Sequence, residues 1–150
     1  MAETLNSLLT GNVNPLGEAP VNAFNMVTGG FTPIDNLSQQ EAGLIQYHRD
    51  NLVGGRSLLK DGQTTTVNIV GITGSDGRIY NVPGYWDGRR FDVDGDTKKN
   101  RQDQIDLKKK IDEVGWETFP SFATGPESDI AAERLHKIID DDMRTFTGGR

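Results

Sequence analysis

NVPGYWDG (residues 81–88) is the segment on which the predicted fold rests, and it has a counterpart in WETFPSF (residues 116–122). The two segments hold five of the chain's eleven aromatic residues, and each contains a proline. Aromatic side chains supply much of the buried area of a small core, while Pro and Gly set the turns that orient them. We therefore predict that the segments form two walls of one core. Its structural residues are predicted to be Val82, Pro83, Tyr85, Trp86, Trp116, Phe119 and Phe122.

The composition argues against several classes of function. The chain has no cysteine, so disulfides, thiolate metal sites and thiol nucleophiles are excluded. No apolar run is long enough to span a membrane, and the N-terminus lacks the basic and apolar regions of a secretory signal. The net charge is −6, whereas a nucleic-acid-binding domain usually has a basic face. We therefore expect no cofactor, no nucleic-acid partner and no membrane span.

The first 36 residues differ from the rest of the chain, whose 150 residues suit one domain or a smaller domain with an appended arm. Residues 11–36 are rich in Gly, Pro and Asn and show neither the period of a helix nor that of a strand. We predict that residues 1–36 form an extended arm, whose Phe24, Met26 and Phe31 dock on a neighbouring subunit. Disorder of the segment and packing on its own domain are the alternatives.

A helix and a linker are predicted over residues 37–60. Ser38 and Glu41 have the spacing of a capping box, and Gly54-Gly55 is the expected stop. The helix is predicted to turn Leu44, Ile45, His48 and Leu52 inward, and to turn Arg49 and Asp50 to water.

A small α+β domain is predicted over residues 61–146, with a flexible tail at 147–150. Residues 64–72 are β-branched and partly alternating, and with residues 78–82 they predict an antiparallel hairpin. Residues 89–93 are predicted to add a short third strand after a tight turn at Asp87-Gly88.

Two C-terminal helices are predicted to pack on one face of this hairpin sheet. The first runs from about Asn100 to Val114, and the second begins with a capping box formed by Thr124 and Glu127. Their apolar stripes are predicted to be Ile105, Leu107, Lys108, Ile111 and Val114 in the first helix, and Ile130, Arg134, Leu135, Ile138, Ile139 and Met143 in the second.

The segment DVDGD (residues 92–96), with Asp103 after it, has carboxylates spaced as in a calcium-binding loop. Its glycine stands at the fourth position of the loop rather than the sixth, and Asp103 replaces the usual bidentate glutamate. We therefore interpret it as a solvated acidic loop and predict no metal site, with calcium binding as the alternative.

The remaining polar clusters have structural interpretations. GITGSDG (residues 71–77) is followed by a strand rather than a helix, so it is a hairpin turn and not a phosphate cradle. The Lys108–Lys110 run is explained by pairing with neighbouring aspartates on the helix, and Asp140–Asp142 by a solvated face. His48 and His136 lie on different helices without a catalytic partner in phase, so no catalytic residue is predicted.

The motif order has a counterpart in a known family. An apolar residue, Pro83 and Trp86-Asp87-Gly88 precede a polar helix ending in Gly115, an aromatic-Pro-Ser-Phe segment at 119–122 and a helix with Ala131-Ala132. Over residues 65–145 this resembles a small module that recurs in tailed-phage and prophage proteins, which are usually uncharacterised or virion-associated. The chain departs from that module at Gly84, where a small polar residue is usual, and in the longer, more acidic region 92–101. The resemblance implies a structural or interaction role and brings no catalytic residues.

The predicted function is therefore that of a non-enzymatic structural component of a tailed-phage virion. It is expected in the head, tail or internal ejection assembly, bound through the arm to other virion proteins or copies of itself. Its expected location is the virion, and the host cytoplasm during assembly. The alternatives are a phage-encoded accessory binding protein acting in the host cytoplasm, and a small hydrolase using Glu117 and Asp87.

Overall fold

The computed structural model describes residue 31, residues 35–60 and residues 62–148. These residues form helices and small antiparallel sheets, which confirms the mixed class predicted from the sequence. The helices are α1 (Gln39–Val53), α2 (Lys98–Val114) and α3 (Gly125–Gly148), with a short 3-10 helix at Trp116–Thr118. The strands are β1 (Leu58–Lys60), β2 (Gln63–Thr65), β3 (Ile69–Thr73), β4 (Ile79–Pro83), β5 (Tyr85–Trp86), β6 (Arg89–Arg90) and β7 (Ser121–Phe122).

The central sheet has the strand order β3–β4–β7, and two small hairpins, β1–β2 and β5–β6, accompany it. The predicted hairpin is confirmed, because β3 and β4 pair with Val70 opposite Val82. Strand β7 joins the start of β4, with Phe122 opposite Ile79. The second aromatic segment therefore enters the same sheet as the first.

The strand predicted over residues 64–72 is interrupted in the structure, which places β2 and β3 on either side of Thr66–Asn68. Asn68 has a positive φ of 50°, a conformation that Asn tolerates better than most residues. The amide of Gly84 donates to the carbonyl oxygens of Val67 and Asn68 at 2.9 and 2.8 Å. These tertiary hydrogen bonds replace the ladder that a continuous strand would form.

The segment 81–88 doubles back on itself to form the β5–β6 hairpin. Asp87 and Gly88 both have positive φ, 52° and 81°, as the two-residue turn of such a hairpin requires. The indole N–H of Trp86 donates to the carbonyl oxygen of Pro83 at 2.7 Å. The predicted tight turn is confirmed. The predicted third strand is wrong in its placement, because Arg89–Arg90 pairs with β5 in a separate hairpin and β7 is the third strand of the central sheet.

One buried cluster joins both aromatic segments, as predicted. Val82, Trp86 and Phe119 lie in it together with apolar residues of all three helices. Trp116 is half-buried and meets the ring of Tyr80 edge-on, with 5.0 Å between centroids. Of the predicted structural residues, Val82, Pro83, Tyr85, Trp86 and Phe119 are buried, whereas Trp116 and Phe122 are half-buried.

The helix starts are confirmed at their caps, but the predicted stripes are partly wrong. Both capping boxes, at Ser38–Glu41 and Thr124–Glu127, are present. Ile105 is 50% exposed and Ile130 is 72% exposed, although both were expected in the core. The buried positions are Asp103, Leu107 and Ile111 in α2, and Ser128, Ala131, Leu135, Ile139 and Asp142 in α3.

Helix α3 continues beyond its predicted end into the expected tail, as far as Gly148. Among the described residues, none of the helices combines the length and the apolar character that crossing a membrane requires.

We predict that Gly84→Ser lowers the free energy of unfolding by about 1–3 kcal/mol. A Cβ at this position would lie 2.8 Å from the carbonyl oxygen of Asn68 and 2.8 Å from its side-chain nitrogen. Gly71→Ser is the matched control, because its Cβ would meet its nearest neighbours at 3.4 Å. Urea unfolding of the two variants measures the difference, and equal stabilities would contradict the steric account.

Candidate functional site

A buried ion pair joins α1 to α3. Arg49 is 1% exposed and Asp142 is 3% exposed, so the prediction that Arg49 and the Asp140–Asp142 run face water is wrong at these two positions. Arg49 donates from Nε to Asp142 Oδ2 at 2.6 Å and from Nη2 to Oδ1 at 2.9 Å. Burial alone would raise the pKa of Asp142, but hydrogen bonds from His48 and Arg49 outweigh it and lower that pKa. The pair is therefore a charged structural link.

His48 belongs to the same network and is fully buried. Its Nε2 lies 3.1 Å from Asp142 Oδ2, and its Nδ1 lies 2.5 Å from the hydroxyl oxygen of Thr66. Both ring nitrogens are thus engaged within the protein, which supports a structural role. His136 is exposed on α3, as the surface interpretation expects.

We predict that Asp142→Ala lowers the free energy of unfolding by about 3–5 kcal/mol, because it leaves the Arg49 charge buried without its carboxylate. Asp141→Ala is the matched control, since Asp141 lies next in the helix but is exposed. The control is expected to change stability by no more than about 0.5 kcal/mol. Urea unfolding at neutral pH measures both variants, and a small effect at Asp142 would contradict the assigned role.

A polar cleft with a volume of about 550 Å³ lies between α1 and the β5–β6 hairpin. The hydroxyls of its two tyrosines donate to backbone carbonyl oxygens and so hold the rings in place. Tyr47 donates to the carbonyl oxygen of Tyr85 at 2.5 Å, and Tyr85 donates to the carbonyl oxygen of Arg56 at 2.7 Å. Burial raises the pKa of Tyr47 well above its ordinary value, so its hydroxyl stays protonated. The cleft is lined by Tyr47, Asp50, Asn51, Arg56, Ser57, Tyr85, Trp86, Asp87, Gly88 and Lys110.

Asp50 is the chemically unusual residue of this cleft. It is half-buried rather than directed fully to water, and Gln46 Nε2 donates to its Oδ1 at 2.6 Å. Burial raises the pKa of Asp50 from 3.8 to about 6. An acid with a raised pKa in a cleft is a frequent mark of a functional site. The helical pattern alone assigns Asp50 to solvent, so sequence reasoning missed it.

The acids of the alternative hydrolase hypothesis do not share this cleft. Asp87 lines it and is 84% exposed beside Lys110, whose Nζ lies 3.4 Å away. Glu117 is exposed on the 3-10 helix and is not among the residues lining the cleft. Of these two acids, only Asp87 lines the cleft.

We predict that Asp50→Asn changes the pH dependence of stability. A raised pKa in the folded state means that Asp50 contributes fully below about pH 4 and that this contribution is lost as the pH rises through about 6. The variant is therefore expected to equal the wild type near pH 4 and to exceed it by about 1–2 kcal/mol at pH 7.5, after allowance for partial exposure. Asn keeps the acceptor for Gln46, so the packing is matched. Urea unfolding across this range tests it, and a pH-independent difference would contradict it.

The acidic loop places its carboxylates on bases rather than around a common point. Asp103 is buried and accepts hydrogen bonds from Lys99 Nζ and Arg89 Nη2, each at 2.8 Å. Burial alone would raise the pKa of Asp103, but hydrogen bonds from Lys99, the Asp92 amide and Arg89 lower it to about 2. Asp94 and Asp96 are exposed. Within the part of the chain that the structure describes, no group of three or more His, Asp or Glu is placed to hold a metal ion.

Two lysines of the basic cluster, Lys99 and Lys110, form ion pairs, and only the first does so as the sequence predicts. Lys99 and Asp103 form an ion pair of the expected helical spacing. Lys110 instead reaches the β5–β6 hairpin, where its Nζ lies over the ring of Trp86 at 5.3 Å from the centroid. Lys108 and Lys109 are exposed.

Of the three predicted arm contacts, the structure describes Phe31. Its ring is buried against its own domain, 5.0 Å from Arg49 Cζ and 6.3 Å from the ring centroid of Phe146. Phe31 is therefore covered by its own chain, which was one of the alternatives, rather than left for a neighbour. Phe24 and Met26 lie outside the described residues, and their role stays a prediction.

A shallow apolar groove lies between β7 and the first two turns of α3. Phe122 forms one wall and Ile130, 72% exposed, the other. Arg78 and Arg134 flank it, with Glu127 as its only lining acid. The sequence predicted Ile130 for the core and so missed this surface.

Comparisons of the chain with protein-family models, with curated proteins and with solved structures find no match.

Proposed function

We propose that this chain is a non-enzymatic structural component of a tailed-phage virion, held to neighbouring subunits through its N-terminal segment. The observation that most supports this proposal is the structural role of the residues that carry the resemblance to the phage module. Val82, Trp86 and Phe119 are core residues, and Asp87-Gly88 forms a hairpin turn. These residues therefore stabilise the fold, and a partner protein would contact other residues at the surface.

The surface features favour protein contacts over chemistry. Four large apolar side chains among the described residues are exposed, and Ile130 and Leu59 are the most exposed of them, at 72% and 71%. Residues 1–30 bring further apolar side chains, including Phe24 and Met26, at the point where Phe31 anchors the chain to the domain. A folded domain with an apolar segment attached to it suits a subunit that joins a larger assembly. The proposed location of this subunit is the head, tail or internal ejection assembly of the particle.

The second candidate is a phage-encoded accessory binding protein acting in the host cytoplasm. The observation that favours it is the single core, to which both aromatic segments and all three helices contribute buried apolar residues. Phe31 is also buried against its own domain, beside Phe146. Such a domain folds without neighbours and could act alone.

Mass spectrometry of purified phage particles separates the two candidates. We expect the chain in the particle at a fixed copy number, and a variant lacking residues 1–30 to be expressed but to be depleted from particles at least tenfold. The truncated chain begins at Phe31, so that the domain keeps this buried ring. A chain abundant in infected cells but missing from particles would favour the accessory role. Normal incorporation of the truncated variant would rule out attachment through the segment.

A further inference from the structure

The cleft between α1 and the β5–β6 hairpin holds two opposite charges that do not pair. Four charged side chains line it, and two of these, Asp87 and Lys110, form an ion pair at 3.4 Å. Asp50 and Arg56 are the other two. Neither forms an ion pair with any residue in the part of the chain that the structure describes. The cleft therefore contains an acid and a base that each lack a counter-charge.

The geometry of α1 keeps these two charges apart. Side chains on a helix lean towards its N-terminus, and the Asp50 carboxylate accordingly accepts from Gln46 Nε2, one turn earlier, at 2.6 Å. Arg56 approaches from the C-terminal end, where its Nη2 donates to the carbonyl oxygen of Asp50 at 2.8 Å. The carboxylate and the guanidinium are thus separated along the helix axis by about one turn, roughly 5 Å.

The guanidinium of Arg56 is held in place before any ligand arrives. Besides the bond from Nη2, its Nε donates to Asn51 Oδ1 at 3.3 Å. Gly54 allows the close approach, because a Cβ at this position would lie 2.8 Å from Arg56 Cζ. Nη1 donates to no residue that the structure describes. A guanidinium fixed in this way presents its remaining N–H groups to an anion.

Asp50 is the complementary half of the site. Its carboxylate is half-buried, and the amide of Gln46 is its hydrogen-bond partner. An amide does not offset the lost hydration of a charge, so burial raises the pKa of Asp50 to about 6. An ammonium group beside this carboxylate would supply the attraction that the amide does not.

We propose that the cleft binds a free amino acid, whose ammonium group faces Asp50 and whose carboxylate faces Arg56. A molecule that carries both charges a few bonds apart supplies both missing partners at once, whereas a ligand with one charge leaves the other side chain uncompensated. The cleft volume of about 550 Å³ lies in the range of small-molecule sites. This inference goes beyond the proposed function and does not depend on it, because a virion subunit and an accessory protein could each carry such a site.

Isothermal titration calorimetry of the full chain with each of the standard L-amino acids tests the site. We expect at least one of them to bind. Its two analogues, one lacking the carboxylate and one lacking the amine, are expected to bind at least tenfold more weakly. If no amino acid binds, or if either analogue binds as tightly as the parent, the proposal is wrong.

Two substitutions assign the ends of the ligand. Asp50→Asn is expected to weaken binding of the amino acid at least tenfold and to leave the affinity for the analogue without an amine unchanged. Arg56→Gln is expected to weaken the amino acid equally and to spare the analogue without a carboxylate. A purely structural effect would weaken every ligand alike.

Asp140→Asn and Arg144→Gln make the same charge changes at exposed positions of α3 and serve as matched controls. Both are expected to bind like the unaltered chain. Circular dichroism checks that each variant is folded. Unchanged binding by both cleft variants would place the ligand elsewhere and overturn the proposal.

The pH dependence of binding provides a separate measurement. Below its pKa of about 6, Asp50 is protonated and cannot pair with an ammonium group. We therefore expect the affinity of the unaltered chain to fall about tenfold between pH 7 and pH 5. Asp50→Asn is expected to show no such fall. An affinity of the unaltered chain that does not change over this range would contradict the assignment of Asp50.

Discussion

The bidentate Arg49–Asp142 ion pair is the interaction on which the rest of the structure depends. His48 and Thr66 extend it, so that α1, α3 and the link between β2 and β3 meet at one buried point. A second ion pair joins the same helices about two turns closer to their N-termini. There Arg134 Nη2 lies 2.7 Å from Glu41 Oε2. Both pairs have the same sequence separation, which requires α1 and α3 to run side by side in the same direction.

This network controls the position of the aromatic motif through hydrogen bonds. Asn51, on α1, donates to the carbonyl oxygen of Thr66 at 2.8 Å, which holds the interruption between β2 and β3. The next two carbonyls accept from the amide of Gly84 and so set the start of the β5–β6 hairpin. Trp86 then enters the core, where its ring lies 5.1 Å from that of Tyr47 on α1. Helix α1 and the aromatic motif are therefore held together both by hydrogen bonds and by ring packing.

Three aspartates show how the same side chain acquires different properties in one fold. Asp142 and Asp103 are buried beside cations, and the hydrogen bonds from those cations lower their pKa despite burial. Asp50 is partly buried with an amide as its neighbour, and its pKa rises to about 6. An amide cannot offset the loss of hydration of a charge as a guanidinium can. The first two therefore stabilise the fold when ionised, and Asp50 does so when protonated.

Elements with local sequence signals could be predicted from the residues alone. Capping boxes fixed the starts of α1 and α3, and Asp87-Gly88 predicted a two-residue turn because few residues adopt positive φ. The two aromatic segments predicted the core, because aromatic side chains supply much of the buried area of a small domain. The surface groove beside Ile130 and the polar cleft beside Asp50 carried no such local signal.

Which helix faces are buried depends on how the helices pack in the folded chain. Helical periodicity favoured the bulky Ile130, but the core accepts its small neighbour Ala131, because α3 lies close to the sheet, where Ser128 donates to Asn81 at 2.7 Å. Asp142 and Arg49 read as solvated charges until the fold brings them together, ninety-three residues apart. Charge pairing over that distance depends on how helices are placed, and a linear pattern of polar and apolar residues does not contain that placement.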